Sequence, residues 1–377
     1  MDVSPLVLGR RGLARRVIDY EPQPETRTRA LGVVDTLAAR WPEGRAPTVV
    51  VDGPVDPVAQ LPQADYVVIA WTAAEVRALA DVLTPHVGPK SWHPYARNLD
   101  QLLPTIRKGA PARSAKHLAS WCRTSIGGKS VLCMKSELHL NQDSMPTGDG
   151  TATLPVAELF RQVIAEAQPK LVITTGTAGG AMDDCDLGDV LITRAAKFRL
   201  ADEFRNEDFN GQAYRSKGKV PTSQLPLATA LLHITQTELR EPDFGAPTTR
   251  YNLPKLLPGY QNTPRILVDG TDFPAFHPIL TTDFFEFGTS TNDLGAQGCG
   301  VEMGDAVLGL VAKELGAKAP RWLVIRNASD PPINGTLPTA PAVPDMQAHW
   351  AVFYYEQYGY WTSVNSAIAC WAVIAAD

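Results

Sequence analysis

Three apolar runs in this chain each end in a polar or glycine-rich cluster, and this pattern narrows the choice of fold more than any other. The run at 171–173 leads into TTGTAGG, the segment VEMGDA occupies 301–306, and the run WLVI leads into RNASD at 326–330. Short apolar runs of this kind are typical of buried strands. Strands that carry polar clusters at one end are how an α/β fold builds a small-molecule site.

The glycine-rich cluster does not match a common nucleotide-binding motif. We expect the strand to stop at Thr174 and a loop to follow through Gly180, where small residues let backbone amides approach a ligand. Gly188 and Asp189 then predict a turn into a second strand at 190–193. A Rossmann fingerprint or a P-loop requires a helix directly after the glycines, so both are excluded.

Hydrophobic periodicity predicts alternating strands and helices from residue 65 onward. Such alternation indicates an α/β fold with a central mixed, mostly parallel twisted sheet flanked by helices. We predict an N-terminal extension at 1–64, rich in proline, and one catalytic domain at 65–377, in which 241–263 is a long loop that lines or covers a site. The predicted strands are 66–70, 130–135, 170–175, 190–198, 265–268, 278–284 and 322–326, and the predicted helices are 73–84, 153–168, 224–240, 303–315 and 346–374.

Charge and cysteine content exclude several classes of protein. The 377 residues carry a net charge of -5, which gives no basic face for nucleic acid. Five cysteines without a CxxC pair predict neither a disulfide framework nor a zinc site. The arginine-rich N-terminus lacks the apolar core of a secretory signal, and the apolar stretch at 367–376 is too short to span a bilayer. We therefore expect a cytoplasmic protein with no membrane or nucleic-acid partner.

The order of the motifs resembles the nucleoside phosphorylase and nucleosidase superfamily, especially its methylthioadenosine/S-adenosylhomocysteine nucleosidase branch. The similarity is carried by TGTAGG, LGDV, VEM before a helix, and a strand ending in Ser-Asp. The strand at 66–70 followed by WTAAEVRAL is similar to the first strand and helix of the family, and TTDFFEF at 281–287 is a weaker match. The resemblance covers about residues 65 to 375 and implies the fold predicted above.

The resemblance implies roles for individual residues. Asp330 falls on the acid that protonates N7 of a departing purine, Glu75 on the glutamate that positions the attacking water, and Phe285 on the ring that stacks on the base. Ser329 and Asn327 are expected to hold the carboxyl of Asp330. The remaining predicted substrate contacts are Thr177, Ala178, Gly179, Glu286, Glu302, Met303, Asp305 and Ser329.

Alternative roles remain for several of these residues. Asp330 precedes two prolines and also fits a turn, and Glu75 also fits a first-turn helix glutamate. Asp183, Asp184 and Asp186 resemble a metal cluster, but they lie in a predicted turn without a histidine, so we expect no metal. The C-terminal aromatic residues between Trp350 and Trp361 favour a core or a subunit face over a platform for the base.

One position departs from the family pattern. Gly304 stands where the family has a glutamate that binds the ribose hydroxyls. Such a charge-assisted hydrogen bond is worth about 1.5 to 3 kcal/mol. Either the substrate has a modified or missing 2′- or 3′-hydroxyl, or Asp305 or Glu286 replaces the missing group; Asp305 lies about 100° further round a helix.

These patterns predict a hydrolase that cleaves the N-glycosidic bond of a purine nucleoside without a cofactor, in a homo-oligomer. A phosphate-dependent nucleoside phosphorylase is the alternative, with phosphate as co-substrate. It requires an arginine fork for which Arg77 is poorly placed, although Lys135, Ser136 and His139 follow another strand. We expect His139 to be an ordinary core or surface histidine. A nucleoside-binding protein with reduced catalysis is the third interpretation.

Overall fold

The computed structural model describes residues 40–232, 245–250, 263–340 and 344–377. Within them the strands, numbered in chain order, are β1 Thr48–Val49, β2 Tyr66–Ala70, β3 His93–Tyr95, β4 Ala119–Ile126, β5 Lys129–Ser136, β6 Leu171–Gly180, β7 Val190–Thr193, β8 Ala195–Phe198, β9 Ala213–Arg215, β10 Ile266–Val268, β11 Ile279–Thr281, β12 Gly300–Glu302 and β13 Arg321–Asp330. The α-helices are α1 Ala73–Leu83, α2 Leu99–Leu102, α3 Pro111–Ala115, α4 Leu140–Asp143, α5 Pro155–Ala167, α6 Leu225–Thr229, α7 Asp305–Leu315 and α8 Met346–Ala376.

Four parallel strands form the centre of one mixed sheet. Their order is β5, β2, β6 and β13, and each is hydrogen-bonded to the next over at least four residue pairs. Outside this group, β4 pairs with β5 and β7 with β13, both antiparallel. Because the four strands run the same way, the residues that follow each of them meet at one edge of the sheet.

Helices cover both faces of this sheet, as predicted. Along β2, Val67 and Ile69 belong to the core on one face, where α5 and α7 pack. Tyr66, Val68 and Ala70 belong to the core on the other face, which is shared with α1 and α8. The alternation follows from the two-residue period of a strand. The predicted fold class is therefore confirmed.

The glycine-rich cluster is part of a strand, so the predicted loop at 174–180 is wrong. β6 continues to Gly180 because β13 pairs with it in parallel register from Arg321↔Leu171 to Asp330↔Gly179, with a β-bulge between Ala328 and Asp330. β13 likewise continues four residues beyond its predicted end at Arg326, and it begins one residue earlier than predicted. The polar residues at these strand ends are thus held by a regular hydrogen-bond ladder.

Other predicted elements differ at their ends. The strand predicted at 190–198 is two strands, β7 and β8, separated at Arg194, and the strand predicted at 278–284 is only β11. α6 is all that the structure describes of the helix predicted at 224–240, since 233–240 lie outside the described residues. Most of the predicted loop at 241–263 also lies outside them. The sequence predicts only one strand of the β4–β5 hairpin, because the predicted strands include β5 but not β4.

The C-terminal segment is one 31-residue helix, α8, buried along almost all of its length. It packs against α1, β13 and β6. The aromatic residues predicted as core are buried there: Trp350, Phe353, Tyr354, Tyr355, Tyr358, Tyr360 and Trp361. In the part of the chain that the structure describes, no helix has the length and apolar character needed to cross a membrane.

Residues 1–39 lie outside the described part of the predicted N-terminal extension. Further along it, β1 pairs antiparallel with β4, and Arg123 forms an ion pair with Asp52. The Leu61 amide donates to Glu166 at 2.8 Å. The division into 1–64 and 65–377 stays a prediction.

Candidate active site

A cleft opens where the central strands end, and it contains most of the predicted site residues. The empty space between its walls is ≈ 820 Å³ when the solvent-filled mouth is counted. Its lining residues are Trp71, Thr72, Glu75, His139, Asn141, Thr177, Ala178, Gly179, Thr282, Phe285, Glu286, Val301, Glu302, Met303, Arg326, Ser329, Asp330, Ala351 and Tyr355. The structure thus brings together all the predicted site residues except Asp305; their roles stay predictions.

Glu75 begins helix α1 and contacts β6 with the same carboxylate. Oε2 accepts from the amides of Trp71 at 3.1 Å and Thr72 at 2.9 Å, and the Thr72 hydroxyl accepts from the Glu75 amide, which completes a capping box. Oε1 accepts from both the amide and the hydroxyl of Thr177, each at 2.8 Å. Four donors therefore occupy the four lone-pair positions of this carboxylate. Glu75 is thus a residue of the first helical turn, as the alternative interpretation predicts, and it also lies in the wall of the cleft.

Gly176 makes room for the Glu75 carboxylate. A Cβ atom at position 176 would lie 2.3 Å from Cδ of Glu75, and the glycine has φ +136°, which other residues rarely adopt. The strand therefore approaches the carboxylate closely only because it has no side chain at this point.

A buried arginine, Arg326, is surrounded by three carboxylates. Its guanidinium donates to Asp305 at 2.7 and 2.9 Å and to Glu302 at 3.2 Å, and Nη1 lies 3.7 Å from Oε1 of Glu75. Arg326 is 3% exposed. Burial opposes its charge, but Asp305 and Glu302 outweigh this effect and raise its pKa. The single buried guanidinium of Arg326 thus faces three carboxyl groups.

Glu302 shares this cluster and lies in the cleft wall. Thr281 donates its hydroxyl to Oε1, and the Asp305 amide donates to the same oxygen at 2.9 Å. Burial, followed by the charge of Asp305, raises the pKa of Glu302 to about 8. Because three clustered acids face one arginine, a proton held on Glu302 at neutral pH reduces their repulsion.

Asp305 lies behind the cleft wall and does not line the cleft. It is fully buried at the start of α7, and both of its oxygens accept from Arg326. This placement does not favour the predicted contact between Asp305 and the sugar. The carboxylate positions Arg326 instead.

Asp330 ends β13 with one carboxyl oxygen free of hydrogen bonds. Ser329 donates its hydroxyl to Oδ1 at 2.9 Å, whereas Oδ2 is buried and has no partner among the described residues. Burial raises the pKa of Asp330 to about 7. The expected contact with Asn327 is wrong, because that side chain hydrogen-bonds to Thr362 and Ser366 of α8. Asp330 is therefore protonated in a large fraction of molecules at neutral pH.

Aromatic rings form the apolar part of the cleft. Phe285 lies beside Phe287, with ring centroids 5.8 Å apart. Tyr355 of α8 also lines the cleft and donates its hydroxyl to Thr72 at 3.0 Å. The indole of Trp71 lies 5.0 Å from the guanidinium carbon of Arg326. Flat rings and a few polar groups suit a planar heterocycle.

The space beside Gly304 is bounded by an indole. A Cβ at position 304 would lie 3.5 Å from Cζ2 of Trp71 and 3.8 Å from Oε2 of Glu302. Glu286, the other predicted replacement for the missing glutamate, lines the cleft and forms an ion pair with Arg199. Of the two predicted replacements, Glu286 lines the cleft and Asp305 does not.

The residues at and after the end of β5 lie in two different parts of the surface. Lys135 and Glu137 pair with each other and line a separate surface pocket together with Arg77. Ser136 donates its hydroxyl to the Leu138 carbonyl. His139 is buried beside Asp143 and lies in the wall of the cleft.

Two of the three aspartates at 183–186 lie beside arginines. Asp186 pairs with Arg250, and Asp184 lies 3.6 Å from Arg265, which also binds Asp189. Among the described residues, no group of three or more acidic, histidine or cysteine side chains is arranged to hold a metal ion.

Sequence reasoning missed Arg326, Trp71 and Tyr355. Arg326 stands four residues before Asp330 in β13, but the β-bulge between Ala328 and Asp330 breaks the strand alternation, so this spacing gave no usable signal. Trp71 follows directly on β2 and precedes the helix cap. Tyr355 had no such signal, because its position depends on how α8 packs.

No known family's sequence profile matches the chain, and no curated protein matches it. Several solved structures are similar. The 5′-methylthioadenosine/S-adenosylhomocysteine nucleosidase from Neisseria meningitidis has 13% identity and a TM-score of 0.45, covering 82% of this chain and 99% of that one. The corresponding nucleosidase from S. pneumoniae has 16% identity, a TM-score of 0.45, and coverage of 82% and 99%. Futalosine hydrolase of Helicobacter pylori has 12% identity, a TM-score of 0.44, and coverage of 82% and 97%.

Proposed function

We propose that this protein hydrolyses the N-glycosidic bond of a purine nucleoside, with Asp330 as the general acid. The observation that carries the proposal is the state of Asp330. It is a buried carboxyl in the cleft wall, its Oδ2 has no partner, and its pKa is raised to about 7 by burial. A carboxylic acid with a pKa near the working pH donates a proton efficiently to a leaving group.

Proton donation suits a departing purine. When the bond between base and sugar breaks, electrons collect on the base, and Asp330 supplies a proton to a ring nitrogen. Ser329 holds the other carboxyl oxygen, so the protonated Oδ2 is left for the ligand. Phe285 provides a flat apolar surface for the base beside this acid.

The charge of the cluster suits the sugar. Loss of the base leaves positive oxocarbenium character on the sugar. Glu75, Glu302 and Asp305 together carry more negative charge than Arg326 neutralises, and they lie in a dry region. Fixed negative charge placed where positive charge develops stabilises a transition state.

We propose that Glu75 positions the attacking water, which requires that one of its present hydrogen-bond donors moves away. All four of its lone-pair positions have donors, so a water molecule binds only if one donor moves away. The Thr177 hydroxyl is the donor that rotates without breaking a strand or helix hydrogen bond. The water would then contact Glu75 and the Thr177 hydroxyl together.

The same cluster speaks against phosphorolysis. A phosphate dianion needs free cationic donors, but both terminal nitrogens of Arg326 are already engaged with protein oxygen atoms. Three carboxylates next to it repel an anion. We therefore rank a nucleoside phosphorylase second.

Base release from adenosine, inosine and guanosine, measured with and without phosphate, tests the proposal. We expect release that is independent of phosphate and is lowered about 10²- to 10⁴-fold in Asp330→Asn. Release that requires phosphate would support the phosphorylase instead. Tight binding without release by the wild type would support a nucleoside-binding protein.

The proposal includes a small-molecule substrate and no cofactor. Assembly into a homo-oligomer and a cytoplasmic location remain predictions. Sedimentation velocity of the purified chain measures the first of these directly.

A further inference from the structure

Trp71 brings a large apolar ring into the part of the cleft where the proposed function places the sugar. Its backbone amide donates to Glu75 at 3.1 Å, and its indole lies 3.5 Å from the Cβ position of Gly304. The same Cβ position lies 3.8 Å from Oε2 of Glu302. The indole therefore fills space that a longer side chain at position 304 would enter.

The indole of Trp71 is held in one orientation by its neighbours. Nε1 donates to the Leu138 carbonyl at 3.1 Å. The guanidinium carbon of Arg326 lies 5.0 Å from the ring centroid, and the ring of Phe160 meets the indole edge-on at 6.4 Å. Nε1 is the only polar atom of a tryptophan side chain, and here the protein already uses it. The surface that Trp71 presents to a sugar is therefore apolar.

The carboxylates beside this ring have little capacity left for sugar hydroxyl groups. All four lone-pair positions of Glu75 have donors. Oε1 of Glu302 accepts from the Thr281 hydroxyl and the Asp305 amide. Oε2 of Glu302 has one partner among the described residues, Arg326 at 3.2 Å, so it can form one more hydrogen bond. This part of the wall thus offers a partner to one hydroxyl and an apolar ring to the neighbouring carbon.

We propose that Trp71 makes the enzyme select 2′-deoxynucleosides over ribonucleosides. This inference rests on the proposed function, which places the sugar beside Glu75 and Glu302. A 2′-deoxyribose ring keeps its 3′-hydroxyl for Oε2 of Glu302, and its C2′ methylene group packs against the indole. A ribonucleoside presses its 2′-hydroxyl against the indole instead, where the hydroxyl loses hydrogen bonds to water without gaining a partner.

The test compares kcat/KM for 2′-deoxyadenosine and adenosine in the wild type and in Trp71→Ala. For the wild type we expect the ratio to favour the deoxynucleoside by about three- to tenfold, the value of one hydrogen bond. In Trp71→Ala, water enters the freed space and solvates the 2′-hydroxyl, so we expect the ratio to fall by about the same factor.

The change in the ratio between the two proteins is the decisive quantity. A 2′-hydroxyl withdraws electrons from the oxocarbenium ion, so a deoxynucleoside also reacts more readily by itself. This intrinsic difference is the same for both proteins and cancels in the change. 3′-Deoxyadenosine, which keeps the 2′-hydroxyl and lacks the 3′-hydroxyl, should be a poorer substrate of the wild type than 2′-deoxyadenosine.

Two further variants separate the apolar surface from a general effect on the fold. Trp71→Phe keeps an apolar ring and should keep most of the preference. Trp92→Ala is the matched control, because Trp92 is also buried and its indole nitrogen donates to the Val87 carbonyl at 3.2 Å, but it lines a separate surface pocket. Trp92→Ala should keep the wild-type ratio.

If Trp71 only stabilised the fold, Trp71→Ala would slow the cleavage of both nucleosides equally. An unchanged ratio in Trp71→Ala would therefore overturn the inference. A wild type that prefers adenosine or 3′-deoxyadenosine would overturn it as well, even if Trp71→Ala does not fold.

Failure of the proposed function is recognised separately. If the wild type releases no base from any of these nucleosides, the hydrolase proposal fails. Calorimetric binding of 2′-deoxyadenosine and adenosine to the wild type and to Trp71→Phe then decides the role of Trp71. Tighter binding of the deoxynucleoside by both proteins would support the selection. Equal affinities in the wild type, or no binding at all, would overturn it.

Discussion

Arg326 donates hydrogen bonds to both carboxylate oxygens of Asp305, at 2.7 and 2.9 Å, and neither residue is more than 3% exposed. The pair joins the middle of β13 to the first turn of α7. Glu302 and Glu75 approach the same guanidinium from the cleft side. Arg326 thus offsets part of the negative charge of Glu75, Glu302 and Asp305.

Replacing Arg326 should strongly destabilise the protein. Arg326→Met leaves three buried carboxylates without a counter-charge, and breaking a buried ion pair costs about 3–5 kcal/mol. Urea denaturation should show this loss in the free energy of unfolding. Arg161→Ala is the matched control, since Arg161 pairs with the half-exposed Glu158 and Glu314, and such pairs contribute about 0–1 kcal/mol. Equal losses in the two variants would contradict the assigned role.

Asp330 should make stability depend on pH. Burial raises its pKa from 3.8 to about 7, so the folded state keeps a proton that the unfolded chain releases. This contribution is complete below about pH 4 and is lost as the pH rises toward 7. The free energy of unfolding of the wild type should therefore fall relative to Asp330→Asn over that range, by on the order of 1–4 kcal/mol.

Urea denaturation of both proteins at several pH values measures this difference. Glu302, whose pKa is raised to about 8, adds a slope of the same sign to both proteins, so the difference isolates Asp330. Parallel curves for wild type and variant would show that Asp330 has no raised pKa.

Gly304 should leave the enzyme tolerant of a missing 2′-hydroxyl. No carboxylate at this position binds the sugar, and a charge-assisted hydrogen bond of about 1.5 to 3 kcal/mol is absent. We expect kcat/KM for 2′-deoxyadenosine and adenosine to agree within about tenfold. Gly304→Ala should keep the ratio, because its Cβ meets Trp71 at an ordinary 3.5 Å.

A large preference for adenosine would identify another partner for the hydroxyl. Apart from the proposed acid Asp330, Glu286 is the carboxylate of the predicted set that lines the cleft without belonging to the Arg326 cluster. Loss of the preference in Glu286→Gln would assign the contact to that residue and would disprove the predicted tolerance.

Gly176→Ala should be among the most damaging small substitutions. The new Cβ would lie 2.3 Å from Cδ of Glu75, and the backbone φ of +136° is itself strained for alanine. Gly128→Ala is the control, because Gly128 has φ +77° and nothing lies within 4 Å of its Cβ position. We expect Gly176→Ala to lower the free energy of unfolding by at least about 2 kcal/mol more than the control. Similar losses would mean that Glu75 moves aside freely.

Much of the central sheet could be predicted from local sequence. Strand β2 was predicted with its correct ends, because five apolar residues are followed by a threonine cap and a capping-box glutamate. Helix α5 was predicted within two residues of its ends from its apolar stripe. Where pairing with a distant strand decides the structure, local pattern fails, as for residues 174–180, which β13 keeps extended despite three glycines.

Site residues could be predicted only where they belong to a recognisable sequence motif. Asp330, Glu75 and Phe285 were singled out by resemblance, and they do line one cleft. Arg326 was missed because a charged residue inside an apolar strand is recognised as buried only when its partners, Asp305 and Glu302, are known.

The capping box at Thr72 gives the cleft a thermodynamic link to the start of α1. The same carboxylate that closes the first helical turn also holds Thr177 in β6. A ligand that draws the Glu75 carboxylate into the cleft therefore breaks hydrogen bonds of the capping box and destabilises the first turn of α1. A ligand that strengthens the hydrogen bonds of Glu75 instead reduces fraying of that turn. Amide hydrogen exchange at Trp71 and Thr72 consequently reports cleft occupancy even for molecules that are never converted.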